Sequence, residues 1–191
     1  MNKENQLRVA FTWPGNTWKS TVINWLRDSL SKMFNVSVYE ETARSVLDKN
    51  KDSEWIFDME WFQWEICRLE NERVEKMKED MADILLIDRT SLDWLVYSIF
   101  NLKNWNWLNL NQKDIADYDL VILFTETFKQ TNTPQFAHYN DDKLVDLFRT
   151  VMRYVYGDKL VEFWNWSEFH DIRERILIEK LKKEQSMQSV L

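Results

Sequence analysis

The sequence predicts an α/β fold, a five-stranded parallel sheet with helices on both faces, and three observations carry that prediction. Short apolar stretches alternate with amphipathic ones five times along the 191 residues, as in strands joined by right-handed crossover helices. Two of the apolar runs, 84–87 (ILLI) and 120–124 (LVILF), are unbroken, which suits strands covered on both sides. Polar clusters then fall directly after the first three predicted strands, where ligands bind in such sheets.

In chain order, residues 1–6 form a short polar tail. Leu7, Val9, Ala10 and Phe11 mark the first strand. A helix over about 19–33 follows, with Val22, Ile23, Leu26, Leu30 and Met33 at helical spacing. Residues 36–41 (VSVYEE) alternate as a strand and end on Glu40 and Glu41. Residues 42–47 read as helix and 48–54 as a polar connection. Over 57–80 a long helix carries Met59, Phe62, Ile66, Leu69, Val74, Met77 and Met81 on one stripe, and its charged opposite face reads as solvated. The third strand, 84–87, leads into a helix over 91–100. Residues 101–117 are Asn-rich and read as a loop with a short helix near 112–116. After the fourth strand, 120–124, residues 129–140 (KQTNTPQFAHYN) are the candidate mobile loop over a substrate. A helix over 141–156 closes on Gly157 as a C-cap. A last strand at 159–163 precedes a terminal helix at 168–183, with Phe169, Ile172, Ile176 and Leu181 inward.

This length is most simply one domain with a substantial core. The net charge of −7 and pI near 5.0 argue against a surface built to grip nucleic-acid phosphates. A lone Cys67 excludes an internal disulfide and fits a reducing compartment. No leader and no bilayer-length apolar run is seen, so a soluble, cytoplasmic protein without a membrane partner is expected. His138 and His170 have no ligand spacing with other metal-binding side chains.

The most informative stretch is 7–21, read LRVAFTWPGNTWKST. Strand, turn, Lys-Ser and helix are laid out as in a phosphate-binding loop, G-x-x-x-x-G-K-[ST]. Trp13, Pro14, Gly15, Asn16, Thr17, Trp18, Lys19, Ser20 and Thr21 occupy the loop, yet both glycine positions, 13 and 18, are tryptophan. Such a loop curls main-chain N–H groups around phosphate oxygens at a helix start, and that close approach favours glycine. The chain has 11 tryptophans and 2 glycines, where average usage gives glycine about 7%. Trp25, Trp105, Trp107 and Trp166 each follow Asn, and Asn-Gly is a common turn dipeptide. The expectation is that UGA specifies glycine in this gene and that Trp13 and Trp18 stand for Gly. The alternative is a Trp-rich chain with a disabled loop.

The residue types suggest phosphoryl chemistry. Lys19 would reach the β- and γ-phosphates of ATP, Ser20 would ligate Mg2+, and Thr21 would hold the α-phosphate. Asp88 would act on the metal or its water, or else cap the next helix. Arg89 would neutralise a transferring phosphoryl group, or pair with a carboxylate. Glu41 is a candidate general base or ribose clamp, or a solvated acid. Arg44 would bind substrate or lie on the surface.

With glycine at 13 and 18, GPGNTGKST, together with EETAR at 40–44 and LLIDRTSLD at 85–93, resembles the P-loop nucleoside/nucleotide kinase group. Within it the chain is most similar to NadR-type AAA domains, which include a nicotinamide riboside kinase of NAD salvage. The resemblance implies the P-loop NTPase fold, ATP with Mg2+, and a small-molecule acceptor. It sets Glu41-Thr42-Ala43-Arg44 and Asp88-Arg89 in the family's motif positions. Family lids usually carry arginine, whereas 129–140 offers only Lys129 and His138. Arg149 and Arg153 on the following helix are the candidates to substitute. Three functions remain open: a phosphotransferase acting on a nucleoside-like metabolite, a nucleotide-binding regulator or bare ATPase, and an inactive scaffold should the tryptophans be real.

Overall fold

A computed structural model describes residues 5–13, 19–50, 59–102, 117–125, 142–163 and 169–188. The expected lid at 129–140, the expected short helix at 112–116, and Pro14 to Trp18 lie outside them.

Five strands form one sheet: β1 (Leu7–Thr12), β2 (Val36–Tyr39), β3 (Ile84–Asp88), β4 (Leu120–Phe124) and β5 (Leu160–Phe163). Their order is β2-β3-β1-β4-β5, and every pairing is parallel. The helices among the described residues are α1 (Lys19–Leu30), α2 (Thr42–Asn50), α3 (Met59–Glu79), α4 (Asp93–Leu102), α5 (Asp142–Tyr156) and α6 (Phe169–Gln188).

Side chains alternate across the sheet, so each unbroken apolar strand feeds two cores. Ala10, Leu85, Ile87 and Val121 pack into one cluster with α2, α3, α4 and α5. Leu7, Val9, Phe11, Ile84, Leu86, Leu120 and Ile122 pack into the other with α1 and α6. β1 therefore sits at the centre, its carboxyl end flanked by those of β3 and β4.

The expected elements are present, and the differences have local causes. Met33 lies past the end of α1 and Met81 past the end of α3; both are exposed, because helical spacing no longer applies there. On α3 the inward stripe runs Gln63, Ile66, Glu70, Arg73, Val74 and Met77. Part of the charged face that reads as solvated is thus buried. On α6, Ile172 and Ile176 are inward but Leu181 is exposed. The next stripe position is Lys180, whose buried stem ends in an ammonium donating to the Asn5 carbonyl at 2.5 Å and paired with Glu184 at 3.2 Å. Gly157, predicted as a cap, adopts φ +50 after α5, the left-handed conformation that ends helices. Asn24-Trp25 lies inside α1 rather than at a turn, so the turn-dipeptide argument does not hold for Trp25, whose ring packs on Phe169 and His170.

Candidate functional site

Strand pairing sets Asp88 opposite Phe11, so the ends of β1 and β3 open on one place. Lys19 and Ser20 begin α1 and face it. The Ser20 hydroxyl donates to Asp88 Oδ2 at 3.1 Å. The other carboxylate oxygen, Asp88 Oδ1, is buried without a hydrogen-bond partner among the described residues, and Asp88 as a whole is buried. A buried anionic oxygen with no donor is costly unless a cation or ligand group completes it. One hydroxyl and one carboxylate side by side suit Mg2+, which is held by few protein ligands and keeps waters and substrate phosphates.

Lys19 is buried as well. Burial, reinforced by the nearby Arg89 charge, pulls its ammonium down to about 8, against the pull of Asp88, Glu41 and Asp93. Thr21 is exposed on α1.

Arg89 follows β3 in a left-handed backbone conformation, φ 82, unusual for a residue with a side chain. Its amide donates to the Phe11 carbonyl at 2.9 Å. Its Nε donates to Glu41 Oε1 at 2.9 Å. Its Nη1 donates to the carbonyl of Trp13, to Asp93 Oδ2 at 3.3 Å and to the Tyr97 hydroxyl at 3.3 Å. The guanidinium also lies 5.5 Å from the centre of the Tyr97 ring. Arg89 thus pairs with two carboxylates, the half-buried Glu41 and the buried Asp93.

Burial alone would raise the Glu41 carboxyl, but Arg89, Lys19 and Arg44 together hold it below the usual carboxylate range. Arg44 is largely exposed, its guanidinium 4.0 Å from Glu41 Oε2. Glu41, Lys19, Ser20, Asp88 and Arg89 are therefore one cluster, with Arg44 at its edge. Arg149 and Arg153 are not brought to it. Arg153 Nε donates to Glu162 Oε1 on β5 at 2.7 Å, and Arg149 Nε is 3.9 Å from Glu162 Oε2. β5 is an edge strand two places from β1, about 10 Å away at ordinary strand spacing.

Two participants were not picked out by the sequence reading. Asp93 is buried, and burial raises its carboxyl against the pull of Arg89, Thr90, Thr12 and Lys19. It accepts from the Thr12 hydroxyl at 2.9 Å, from the Thr90 amide at 3.0 Å and from the Thr90 hydroxyl at 2.5 Å. Thr90-x-x-Asp93 is a capping box at the start of α4, and the [ST]-x-x-[DE] spacing before an apolar run was its signal. Thr90 and Asp93 together close the turn that leads into α4. The second participant is the Glu70–Arg73 pair on α3, which had no signal beyond the i, i+3 spacing.

Trp13 is fully buried and is among the largest side chains shut off from solvent. Its indole Nε1 has no hydrogen-bond partner among the described residues, whereas a buried indole N–H usually finds one. Trp18 lies outside the described residues.

A protein-family model described as an AAA domain matches residues 8–153, a family of P-loop NTPases. Among solved structures, the chain is similar to a NadR protein in complex with NR, at 14% identity and TM-score 0.63, covering 93% of this chain and 51% of that one. It is also similar to a NadR protein in complex with NAD and AMP-PNP, at 16% identity and TM-score 0.68, with the same coverage. The chain therefore spans about half the length of these solved proteins, and the likeness establishes the P-loop NTPase fold. No curated protein matches the sequence significantly.

Proposed function

The chain belongs to this AAA domain family, and we propose that it transfers the γ-phosphoryl group of ATP to a hydroxyl of a small nucleoside-like metabolite, with residues 13 and 18 being glycine in the native protein. The observation that carries the reading is the Ser20–Asp88 contact of 3.1 Å beside buried Lys19, with Asp88 Oδ1 meeting no donor among the described residues. Lys-Ser at a helix start facing a strand-end carboxylate is an arrangement for holding a nucleotide polyphosphate and its cation.

Each residue then has a role set by its surroundings. Main-chain amides of residues 13–18 would curl around the phosphates once glycine permits it. Lys19 would lie against the β- and γ-phosphates, and Thr21 would sit toward the α-phosphate. Ser20 and Asp88 would hold Mg2+, which supplies charge neutralisation between the terminal phosphates. Glu41, at the mouth of the cluster and kept anionic by Arg89, would accept the hydrogen bond of the acceptor hydroxyl. Arg44, exposed at the same edge, would meet the acceptor. Arg89 fixes Glu41 and residue 13 relative to each other, so catalysis rests on positioning and charge. A nucleoside acceptor is supported by the solved NadR protein bound to NR.

One observation favours a second reading. Glu41 is engaged by Arg89 and held below the usual carboxylate range, which weakens it as a proton acceptor. A regulatory nucleotide-binding protein or bare ATPase needs no such acceptor.

The test is a W13G/W18G protein with Mg·ATP and a nucleoside panel that includes nicotinamide riboside. Phosphorylated acceptor, detected by mass, supports the transferase. ADP released without a phosphorylated acceptor supports the second reading, and no ATP binding by this variant overturns both. An intact mass of the protein from its native host tests the glycine assignment directly. A mass equal to that of the written sequence would end it.

A further inference from the structure

The buried pair on α3 has a geometry that an ion pair alone does not require. Arg73 Nη2 donates to Glu70 Oε2 at 2.5 Å, and both side chains are buried. Both terminal nitrogens of the guanidinium also reach main-chain carbonyls of other elements, while the buried Nε has no hydrogen-bond partner among the described residues. Nη1 donates to the Asp88 carbonyl at 2.9 Å and the Glu40 carbonyl at 3.3 Å, and Nη2 to the Arg89 carbonyl at 2.9 Å. Glu70 in turn accepts a hydrogen bond from the Thr42 side chain, next to Glu41. One planar fork thus spans the carboxyl ends of β2 and β3, on the residues adjoining or bearing Glu41, Asp88 and Arg89.

We infer that Arg73 is a positioning residue for the phosphoryl-transfer site, setting Glu41 against Asp88 and Arg89 through the carbonyls of residues 40, 88 and 89. The inference rests on the transferase reading given above. Left-handed backbone at a residue with a side chain persists only where its surroundings over-determine it. At Arg89 the amide is held by Phe11, the side chain by Glu41 and Asp93, and the carbonyl by Arg73. Arg73 also holds the Asp88 carbonyl, so removing its guanidinium releases the peptides on both sides of Arg89. Arg suits the task because its fork reaches several acceptors in fixed directions, which a lysine ammonium does not.

A purely structural ion pair predicts something different. Replacing both members of a buried pair with apolar residues of similar volume is often neutral for stability. The experiment therefore compares E70M/R73M and R73K with their parent, all carrying W13G/W18G. Melting temperature, Mg·ATP affinity, turnover and hydrogen exchange at the Arg89 amide are measured for each. The expected result for E70M/R73M is a melting temperature within about 4 °C of the parent and a nucleotide Kd within about threefold, with turnover lower by about 10- to 100-fold. The Arg89 amide should exchange about 10-fold faster while amides earlier in β3 keep their protection. R73K, which keeps the charge opposite Glu70, should show the same loss of turnover and the same faster exchange. Parent-like turnover and exchange in either folded variant would overturn the inference. Should the double variant melt early, R73K decides by the same criteria. Should the parent transfer no phosphoryl group, the transferase reading fails separately, and exchange at Arg89 still decides whether Arg73 holds that peptide.

Discussion

Replacing Trp13 with glycine separates an indole that belongs in the fold from one that does not. Were this a fitted core tryptophan, truncation would cost about 3–5 kcal/mol in lost packing and cavity. The glycine backbone would add about 1 kcal/mol. For a chain of this length, each kcal/mol moves the melting temperature by roughly 2–4 °C. A native tryptophan therefore implies a fall of about 10–20 °C. The glycine assignment implies a much smaller change. The indole is fully buried, and its N–H has no hydrogen-bond partner among the described residues. Leaving such a group unsatisfied costs about 1–3 kcal/mol, and overfilling a site made for a smaller residue costs a similar amount. Removing the indole recovers both, so the expected shift lies within about 4 °C of zero or is positive. Thermal unfolding of the two proteins by circular dichroism, in one buffer without nucleotide, measures it. A fall of about 10 °C or more would refute the glycine assignment at position 13.

Other consequences concern the charges around the loop. The unfolded chain holds its Lys19 proton up to the ordinary lysine range, whereas the folded chain releases it near 8, so stability rises with pH between those values. Relative to K19M, the parent should gain about 2 kcal/mol between pH 7.5 and 10 in urea melts; a flat or opposite difference would contradict the burial of this ammonium. R89M strands Asp93 and Glu41 without their guanidinium, which should cost about 3–5 kcal/mol at neutral pH. Both carboxyls then hold protons more readily in the folded state, so the deficit should shrink toward pH 5, and a pH-independent deficit would count against the pairing. Gly157→Ala tests backbone alone: φ is +50 and nothing lies within 4 Å of an added Cβ. Its cost should be about 1 kcal/mol, or about 3 °C in melting temperature. An unchanged melting temperature would mean that the left-handed turn relaxes freely.

The sheet was legible because a strand covered on both faces needs an unbroken apolar run, and 84–87 and 120–124 leave little else to fit. Lys19, Ser20 and Asp88 were legible because strand-end and helix-start positions converge in any parallel sheet of this kind. What stayed hidden was pairing over long separations. Glu70 and Arg73 read as part of the solvated face of their helix, and only the carbonyls of residues 40, 88 and 89 make a buried arginine suitable there. The pairing of Arg149 and Arg153 with Glu162 was hidden for the same reason, since that carboxylate lies on a strand beyond α5. Asp93 was readable as a capping box, but its second task of holding Thr12 and Arg89 depends on β1 and β3 being neighbours.

The account depends on residues 13–20 and Asp88 forming one grip on a nucleotide polyphosphate. Calorimetric titration of the W13G/W18G protein with ATP, with and without Mg2+, measures that grip directly. Saturable binding that strengthens with Mg2+ and is lost in W13G/W18G/D88N is the expected result. No binding by W13G/W18G, or binding indifferent to both Mg2+ and Asp88, would contradict it.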